Sequence, residues 1–161
     1  MRMDCGETSI TLRDAVADDA EAILACLASA FGAYRSQYTQ EAYADTVLNS
    51  HSLQVRLTEM SVLAALCRNQ IVGTIAFAAK RNDGHLRGMA VRPEWQGTGV
   101  ASILLDTAVK ALRELDCQFV TLDTTEVLER AIRFYRRAGF MPSGKVVDLL
   151  GMPLYEYIKR L

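Results

Sequence analysis

The chain has 161 residues, half of them apolar, which is the size of one domain around one buried core. Its 18 basic and 19 acidic side chains nearly cancel, so the net charge gives no reason to expect nucleic acid or an anionic membrane as a partner. We therefore expect a single domain over residues 1–161, in which any anion is bound by local features.

The sequence shows no targeting, membrane-spanning or metal-binding pattern. The first residues, MRMDCGETS, lack the apolar core of a signal peptide, and no apolar run approaches the ~18 residues of a membrane span. The four cysteines are scattered without a CxxC pair, and the two histidines lie far apart. We expect a soluble cytoplasmic protein without a metal site or a disulfide framework.

The first third of the chain predicts a strand, a helix and a weakly patterned stretch. Ser9 to Arg13 alternates apolar and polar residues, which is typical of a strand. After Asp18, apolar residues recur every three or four positions as far as Phe31, which predicts a helix. Between residues 32 and 57 the pattern weakens, and only Ala42 to Leu48 is interpreted as a short helix.

Three successive strands are predicted in the middle of the chain. The runs Ser61 to Arg68 and Ile71 to Lys80 are rich in small and branched apolar residues and are joined at Asn69-Gln70. A strong turn signal, Asn82-Asp83-Gly84, precedes a third run from His85 to Val91. These strands are expected to be antiparallel.

The last third predicts two helices and three strands. Residues 100–115 carry one apolar stripe with intervals of three and four, and residues 128–138 form a second helix that ends at a glycine. Strands are predicted over 118–123, 141–149 and 154–159. The order of elements predicts an α+β fold with a mixed sheet, in which the long helix connects two strands that are able to lie parallel.

The turn before the long helix has the composition of a phosphate-binding site. Gly97 and Gly99 stand where the helix begins, and a helix N-terminus offers unpaired N–H groups and the positive end of its dipole. The alternative is that the two glycines only shape a tight turn. Neither a Walker turn nor a Rossmann fingerprint is present, because no Gly-Lys-Ser/Thr follows and the six-residue glycine spacing is lacking.

Two motifs in this part of the chain resemble the GNAT superfamily of N-acetyltransferases. Residues 96–101 fit the Q/R-x-x-G-x-G/A motif, and residues 134–140 are similar to the FYxxxGF hallmark. Gly88 to Pro93 resembles the central strand of that family and its exit. The resemblance implies a mixed, mostly antiparallel sheet of six to seven strands, flanked by about four helices.

The resemblance also implies how acetyl-CoA is bound. Two neighbouring parallel strands splay apart, and the pantetheine arm pairs with backbone groups of Met89, Ala90 and Val91 in the gap. The pyrophosphate site is expected at the turn that opens the long helix. Its residues are Gly97, Thr98, Gly99, Val100, Ala101 and Ser102, with Gln96 beside them.

The chemistry requires an acid for the departing thiolate, a donor for the oxyanion and an acceptor for the amine proton. Tyr135 occupies the tyrosine position of the FYxxxGF motif and is the candidate acid, although it also suits packing beside Phe134. A backbone N–H near Met89 or Ala90 is expected to polarise the carbonyl. His85 is the candidate base, and the alternative is an ordinary surface histidine after a turn.

One position departs from the family pattern. Relatives often carry an asparagine that bonds the cofactor where this chain has Leu128, so that bond is absent or is supplied by Thr124 or Thr125. Of the basic residues on the last helix, one is a candidate for the 3′-phosphate of coenzyme A, although a solvated helix face is the alternative. These residues are Arg130, Arg133, Arg136 and Arg137.

The resulting hypothesis is an N-acetyltransferase that moves an acetyl group from acetyl-CoA to a primary amine by direct attack within a ternary complex. Tyr34, Tyr38 and Tyr43, in the region where the family builds its acceptor pocket, favour a small-molecule acceptor. A protein or peptide N-acetyltransferase and a non-catalytic acyl-CoA-binding sensor are the alternatives. The C-terminal strands predict a possible homodimer through an open sheet edge.

Overall fold

A computed structural model describes the backbone of residues 2–5 and 8–161 and the side chains from residue 9 onward. Within this part of the chain, eight strands form one sheet in the order β1-β2-β3-β4-β5-β6-β8-β7. The strands are β1 Arg2–Cys5, β2 Thr8–Asp14, β3 Ser61–Cys67, β4 Gln70–Lys80, β5 Asp83–Val91, β6 Phe119–Thr124, β7 Met141–Leu149 and β8 Met152–Arg160. The α-helices are α1 Ala20–Phe31, α2 Gln40–Thr46, α3 Ser50–Glu59, α4 Val100–Glu114 and α5 Glu129–Arg137.

The predicted fold class is confirmed. Neighbouring strands are antiparallel except β5 and β6, which α4 connects and which lie parallel. The described sheet contains one strand more than the largest predicted number, since β1 pairs with β2 at the N-terminal edge. No helix in the described residues is long and apolar enough to cross a membrane.

Helix α3 was not predicted, and its start has a local cause. The Asn49 side chain accepts a hydrogen bond from the backbone N–H of Ser52 at 2.9 Å, and the Ser52 hydroxyl accepts one from the Asn49 N–H at 3.0 Å. This reciprocal capping pair satisfies two donors at the helix start and explains why a helix begins here. The preceding helix, α2, is capped in a similar way by the Thr39 hydroxyl.

The two hairpins of the central sheet turn one residue earlier than predicted. Cys67 pairs with Gln70 and Lys80 pairs with Asp83, so each loop has two residues. Three of the four loop residues, Arg68, Asn69 and Arg81, have positive φ, as the tight turns between twisted strands require.

The sheet separates two apolar clusters. Adjacent β3 residues point to opposite faces, so Leu63 belongs to one cluster and Val62 to the other. The first cluster contains the apolar stripe of α4 together with residues of α5, and the second contains the buried faces of α1 and α3. Consequently, the helix whose start carries the glycine turn and the helix α3 lie on opposite faces of the sheet.

The open edge at the C-terminal side of the sheet is β7. Strand β8, which contains residues 154–158, lies between β6 and β7 and is paired on both sides. Apolar side chains such as Met141 and Val146 are exposed on β7. A homodimer through this edge remains a prediction.

Replacement of Leu112 tests the packing of α4. This side chain is fully buried and fills the space above Gly84 on β5. We expect Leu112→Ala to lower the free energy of unfolding by about 2–5 kcal/mol, because the deletion leaves a cavity that neighbouring backbone is unable to close. Leu115→Ala, at the exposed end of the same helix, is expected to change it by less than about 0.5 kcal/mol. Equal losses in urea titrations of the two variants would contradict this packing.

Candidate active site

The site begins where the two parallel strands part. Strands β5 and β6 pair only at Asp83 with Phe119, Gly84 with Val120 and His85 with Thr121. Beyond these positions β5 continues to Val91 and β6 continues to Thr124, but the two strands no longer pair with each other. A cavity of about 930 Å³ opens there, and residues from both strands line it. The predicted splay of the two strands is therefore present.

Strand β5 carries a bulge beside this gap. It pairs with β4 at Arg87 and again at Ala90, but the register shifts between them. Gly88, inside the bulge, has φ of +63°, a conformation that favours glycine. Met89, Ala90 and Gly88 all line the cavity. The bulge re-aims the backbone at the point where the predicted oxyanion donor was placed.

The glycine turn forms a cradle at the start of α4. Gly97 and Gly99 have φ of +77° and +92°, and Gly99 is the residue that precedes the helix. The Thr98 hydroxyl donates to the Trp95 carbonyl, which folds the turn back on itself. The first N–H groups of a helix have no partner within the helix, so this end is suited to an anion.

The residues predicted for the pyrophosphate divide into two groups. Those that line the cavity are Gln96, Gly97, Gly99, Ala101 and Ser102. Thr98 and Val100 are not among the lining residues. The Val100 side chain is fully buried in the core against β4, which leaves only its backbone for a ligand.

Gln96 joins three elements around the turn. Its Nε2 donates to the Val91 carbonyl at 3.1 Å, and its Oε1 accepts from Arg130 Nη1 at 3.2 Å. Of the four arginines of α5, Arg130 and Arg137 line the cavity, and Arg130 is the one that contacts the turn through Gln96. Arg133 instead faces Glu129, and Arg136 lies over the ring of Tyr157.

Tyr135 is buried on α5 and lines the cavity. Its ring packs edge-on against Phe134 and Phe140, with centroid distances of 5.3 and 5.8 Å. Burial raises the pKa of its phenol above the ordinary value, so the group is protonated at neutral pH. Tyr135 thus packs against Phe134 and also lines the cavity, so the two interpretations of this residue are compatible.

Thr124 provides an unpaired hydroxyl next to the gap. It ends β6 and lines the cavity, and its buried Oγ1 has no hydrogen-bond partner among the described residues. A buried hydroxyl without a partner is costly, so a ligand atom that bonds to it would be stabilised. Leu128, at the departure from the family pattern, lies nearby at the start of α5 and supplies no polar group.

His85 is the last residue of β5 that pairs with β6. Its Nδ1 lies 2.9 Å from Thr121 Oγ1, and Thr121 Oγ1 lies 3.5 Å from the Gly84 carbonyl. If the hydroxyl donates to that carbonyl, Nδ1 carries the imidazole proton and Nε2 is free to accept one. Burial lowers the pKa of His85, and the nearby Asp123 carboxylate, 3.9 Å from Nε2, opposes this shift.

The far end of the cavity lies on the face of α1 and α3. Phe31, Tyr34 and Tyr38 line it, and burial raises the pKa of Tyr38 to about 12. Tyr43 packs edge-on against Tyr38 at 6.0 Å and is not among the lining residues. Of the three tyrosines that the sequence suggested, Tyr34 and Tyr38 therefore line the cavity, and Tyr43 packs behind Tyr38.

Three charged residues that line the cavity here were not predicted. Asp45 follows the tyrosines and forms an ion pair with Arg87 at 3.1 Å, and Arg56 lies on α3. The sequence carried one signal for Arg56: it falls three residues after Leu53 on the apolar face of a capped helix. Glu59 also lines the cavity, whereas Glu41 does not.

These residues fit the acetyl-CoA that the sequence predicted. A cradle without side chains at Gly97 and Gly99 admits a phosphate, and the same cavity is lined by Thr124, whose hydroxyl has no partner among the described residues, and by Tyr135. When bound, this co-substrate supplies the activated acetyl group. Among the described residues, no group of three or more His, Cys, Asp or Glu side chains is placed to hold a metal.

The sequence is similar to two curated acetyltransferases. It is 37% identical over 62 residues to the mycothiol acetyltransferase of Propionibacterium freudenreichii, and the matched segment covers 36% of this chain and 20% of that protein. It is 31% identical over 87 residues to the peptidyl-lysine N-acetyltransferase YjaB of Escherichia coli, which covers 53% of each. The matched segments therefore span about half the length of these relatives or less.

The fold is similar to that of a solved acetyltransferase. The crystal structure of the PaiA N-acetyltransferase from Thermoplasma acidophilum, in complex with coenzyme A, superposes with a TM-score of 0.79 and 18% identity, over 94% of this chain and 99% of that one. The model of the acetyltransferase (GNAT) family matches residues 21–140, which include both motifs and most of the cavity wall. The predicted family is confirmed: the chain belongs to the GNAT family of acetyltransferases.

Proposed function

We propose that this protein transfers an acetyl group from acetyl-CoA to the primary amine of a small molecule, by direct attack within a ternary complex. The observation that carries the proposal is one continuous cavity that joins the cradle of α4 to an aromatic end on the opposite face of the sheet. Donor and acceptor would enter from the two faces and meet in the strand gap.

In this scheme one group of the protein assists each chemical step. The backbone N–H near Met89 or Ala90 polarises the thioester carbonyl. Nε2 of His85, directly or through water, takes the proton that the amine loses as its nitrogen bonds to the acetyl carbon. Tyr135 gives its proton to the sulfur as the carbon–sulfur bond breaks.

A small acceptor is favoured by the half-buried tyrosines of the cavity wall and by the similarity to a mycothiol acetyltransferase. The second candidate acceptor is a peptide, which the similarity to a peptidyl-lysine acetyltransferase favours. The third candidate is a protein that binds acetyl-CoA without turnover. The position of Tyr135 in the cavity wall argues against it.

The test is a calorimetric titration with acetyl-CoA, followed by measurement of thiol release with amino acids, polyamines, arylalkylamines and short peptides. Binding with release that depends on a small amine supports the proposal. Release with peptides alone transfers it to the second candidate. Binding without release points to the sensor, and the absence of binding overturns it.

Replacement of Tyr135 tests the general acid. Because the phenol donates its proton only as the carbon–sulfur bond breaks, we expect Tyr135→Phe to lower kcat about 100-fold and leave the Kd of coenzyme A within a few-fold. Tyr157→Phe, which removes another buried phenol that does not line the cavity, is the control and should retain kcat. A full rate in Tyr135→Phe, with chemistry rate-limiting, would exclude the role.

Replacement of Gly97 tests the cradle. A side chain at this positive φ strains the turn and adds a methyl group where the phosphates are expected, so Gly97→Ala should weaken coenzyme A binding about tenfold. Gly144→Ala introduces the same kind of backbone strain at φ +91° on β7, away from the cavity. Calorimetry should show an unchanged Kd for this control, and equal losses in both variants would contradict the assignment.

Titration of His85 tests the base. Its folded-state pKa lies below the unfolded value of about 6.5, so the unfolded chain binds the proton more readily and stability falls as the pH drops below about 6.5. Proton NMR should show one imidazole with a lowered pKa that is missing in His85→Gln. The same variant should lose the acidic limb of the kcat/KM profile, and a retained limb would assign the base elsewhere.

A further inference from the structure

Arg56 is a buried cation in the wall of the cavity. It lies on α3 among residues of the second apolar cluster, such as Leu53 and Ile23, and only 9% of its surface is exposed. Its side chain nevertheless lines the main cavity. Its guanidinium lies against Gly88, another residue of the cavity wall, which places the charged end of the side chain at that wall while its stem packs in the core.

The guanidinium of Arg56 has no partner among the described residues. It forms no ion pair and no hydrogen bond with them, although the charges of Arg87 and Asp45 act on it through space. That carboxylate already pairs with Arg87, and Glu59 makes no ion pair with Arg56. Burial lowers the pKa of Arg56 to about 10, so it is still charged at neutral pH. Burying an unpaired charge is costly, and an anion in the cavity would offset that cost.

The position of the guanidinium points to the acceptor and not to coenzyme A. A Cβ built on Gly88 would lie 2.5 Å from Arg56 Nη1, so the guanidinium covers the bulge residue next to Met89. This is the stretch of β5 where the reacting carbonyl is expected. The cradle for the phosphates is at the start of α4, on the opposite face of the sheet.

We propose that Arg56 binds a carboxylate of the acceptor, and hence that the acceptor is an amino acid or a related small amine with a carboxylate a few bonds from its nitrogen. A guanidinium presents two parallel N–H donors that match a carboxylate. Phe31, Tyr34 and Tyr38 line the same end and leave an apolar surface for the rest of the molecule. This inference rests on the proposed transfer to a small amine.

The test compares amines that differ only in this group. Phenylalanine and phenylalaninamide, and 4-aminobutyrate and its amide, are assayed for acetylation by the wild type, Arg56→Gln and Arg56→Lys. The dipeptides Gly-Glu and Gly-Gln, with amidated C-termini, extend the comparison to peptides. We expect the wild type to prefer one acid over its amide by at least tenfold in kcat/KM. Arg56→Gln should abolish the preference, and Arg56→Lys should retain part of it.

A matched control removes an arginine that does not line the cavity. Arg133→Gln, on α5, should keep the acid preference within about threefold, because the Arg56 guanidinium remains. Thermal unfolding of each variant shows whether it is folded. A loss of preference in the control equal to that in Arg56→Gln would overturn the assignment to Arg56.

Binding provides a readout that does not require turnover. Calorimetry with N-acetylphenylalanine and N-acetylphenylalaninamide, in the presence of coenzyme A, should show tighter binding of the acid to the wild type and no difference in Arg56→Gln. Acetylation of small amines without an acid preference overturns the inference and leaves the proposed function standing. Failure to acetylate any small amine overturns the proposed function, and equal binding of the acid and the amide then overturns the role of Arg56 as well.

Discussion

The separation of β5 from β6 after three paired positions is the constraint on which the site depends. Two parallel strands that stay paired would satisfy each other's backbone groups and leave no space between them. Here α4 leaves the end of β5 and returns the chain to β6, while the bulge at Gly88 turns β5 away. The resulting gap leaves backbone groups of β5 and β6 unpaired with each other along the cavity wall, where a ligand is able to bond to them.

The site combines neutral and charged groups in a chain with almost no net charge. Tyr135 is held protonated by burial, and His85 is held neutral by the same cause. The anion-binding features are local: backbone N–H groups at the start of α4, Arg130 at the rim and Arg56 on the other face. Each is directed to one part of the cavity, which is why overall charge carried no information about the ligands.

Much of the fold, the glycine turn and the position of Tyr135 could be predicted from the sequence, because they depend on local patterns. The stripe of α4, the glycines of its first turn and the FYxxxGF segment are each contiguous in the chain. The far end of the cavity is built differently. Asp45, Arg56 and Arg87 come from three elements, and only the folded sheet brings them to one wall. The capping signal of Asn49 and Ser52 was present but was obscured by the polar residues of α3.

Gly88 is required for two separate reasons, one in the backbone and one in side-chain packing. Its positive φ sets the bulge of β5, and its missing side chain leaves the space that the Arg56 guanidinium fills. A residue with a Cβ at position 88 would strain the strand and displace the arginine together, so the sizes of residues 56 and 88 are mutually constrained. In related sequences these two positions should therefore vary as a pair, although they lie on different elements and 32 positions apart in the chain.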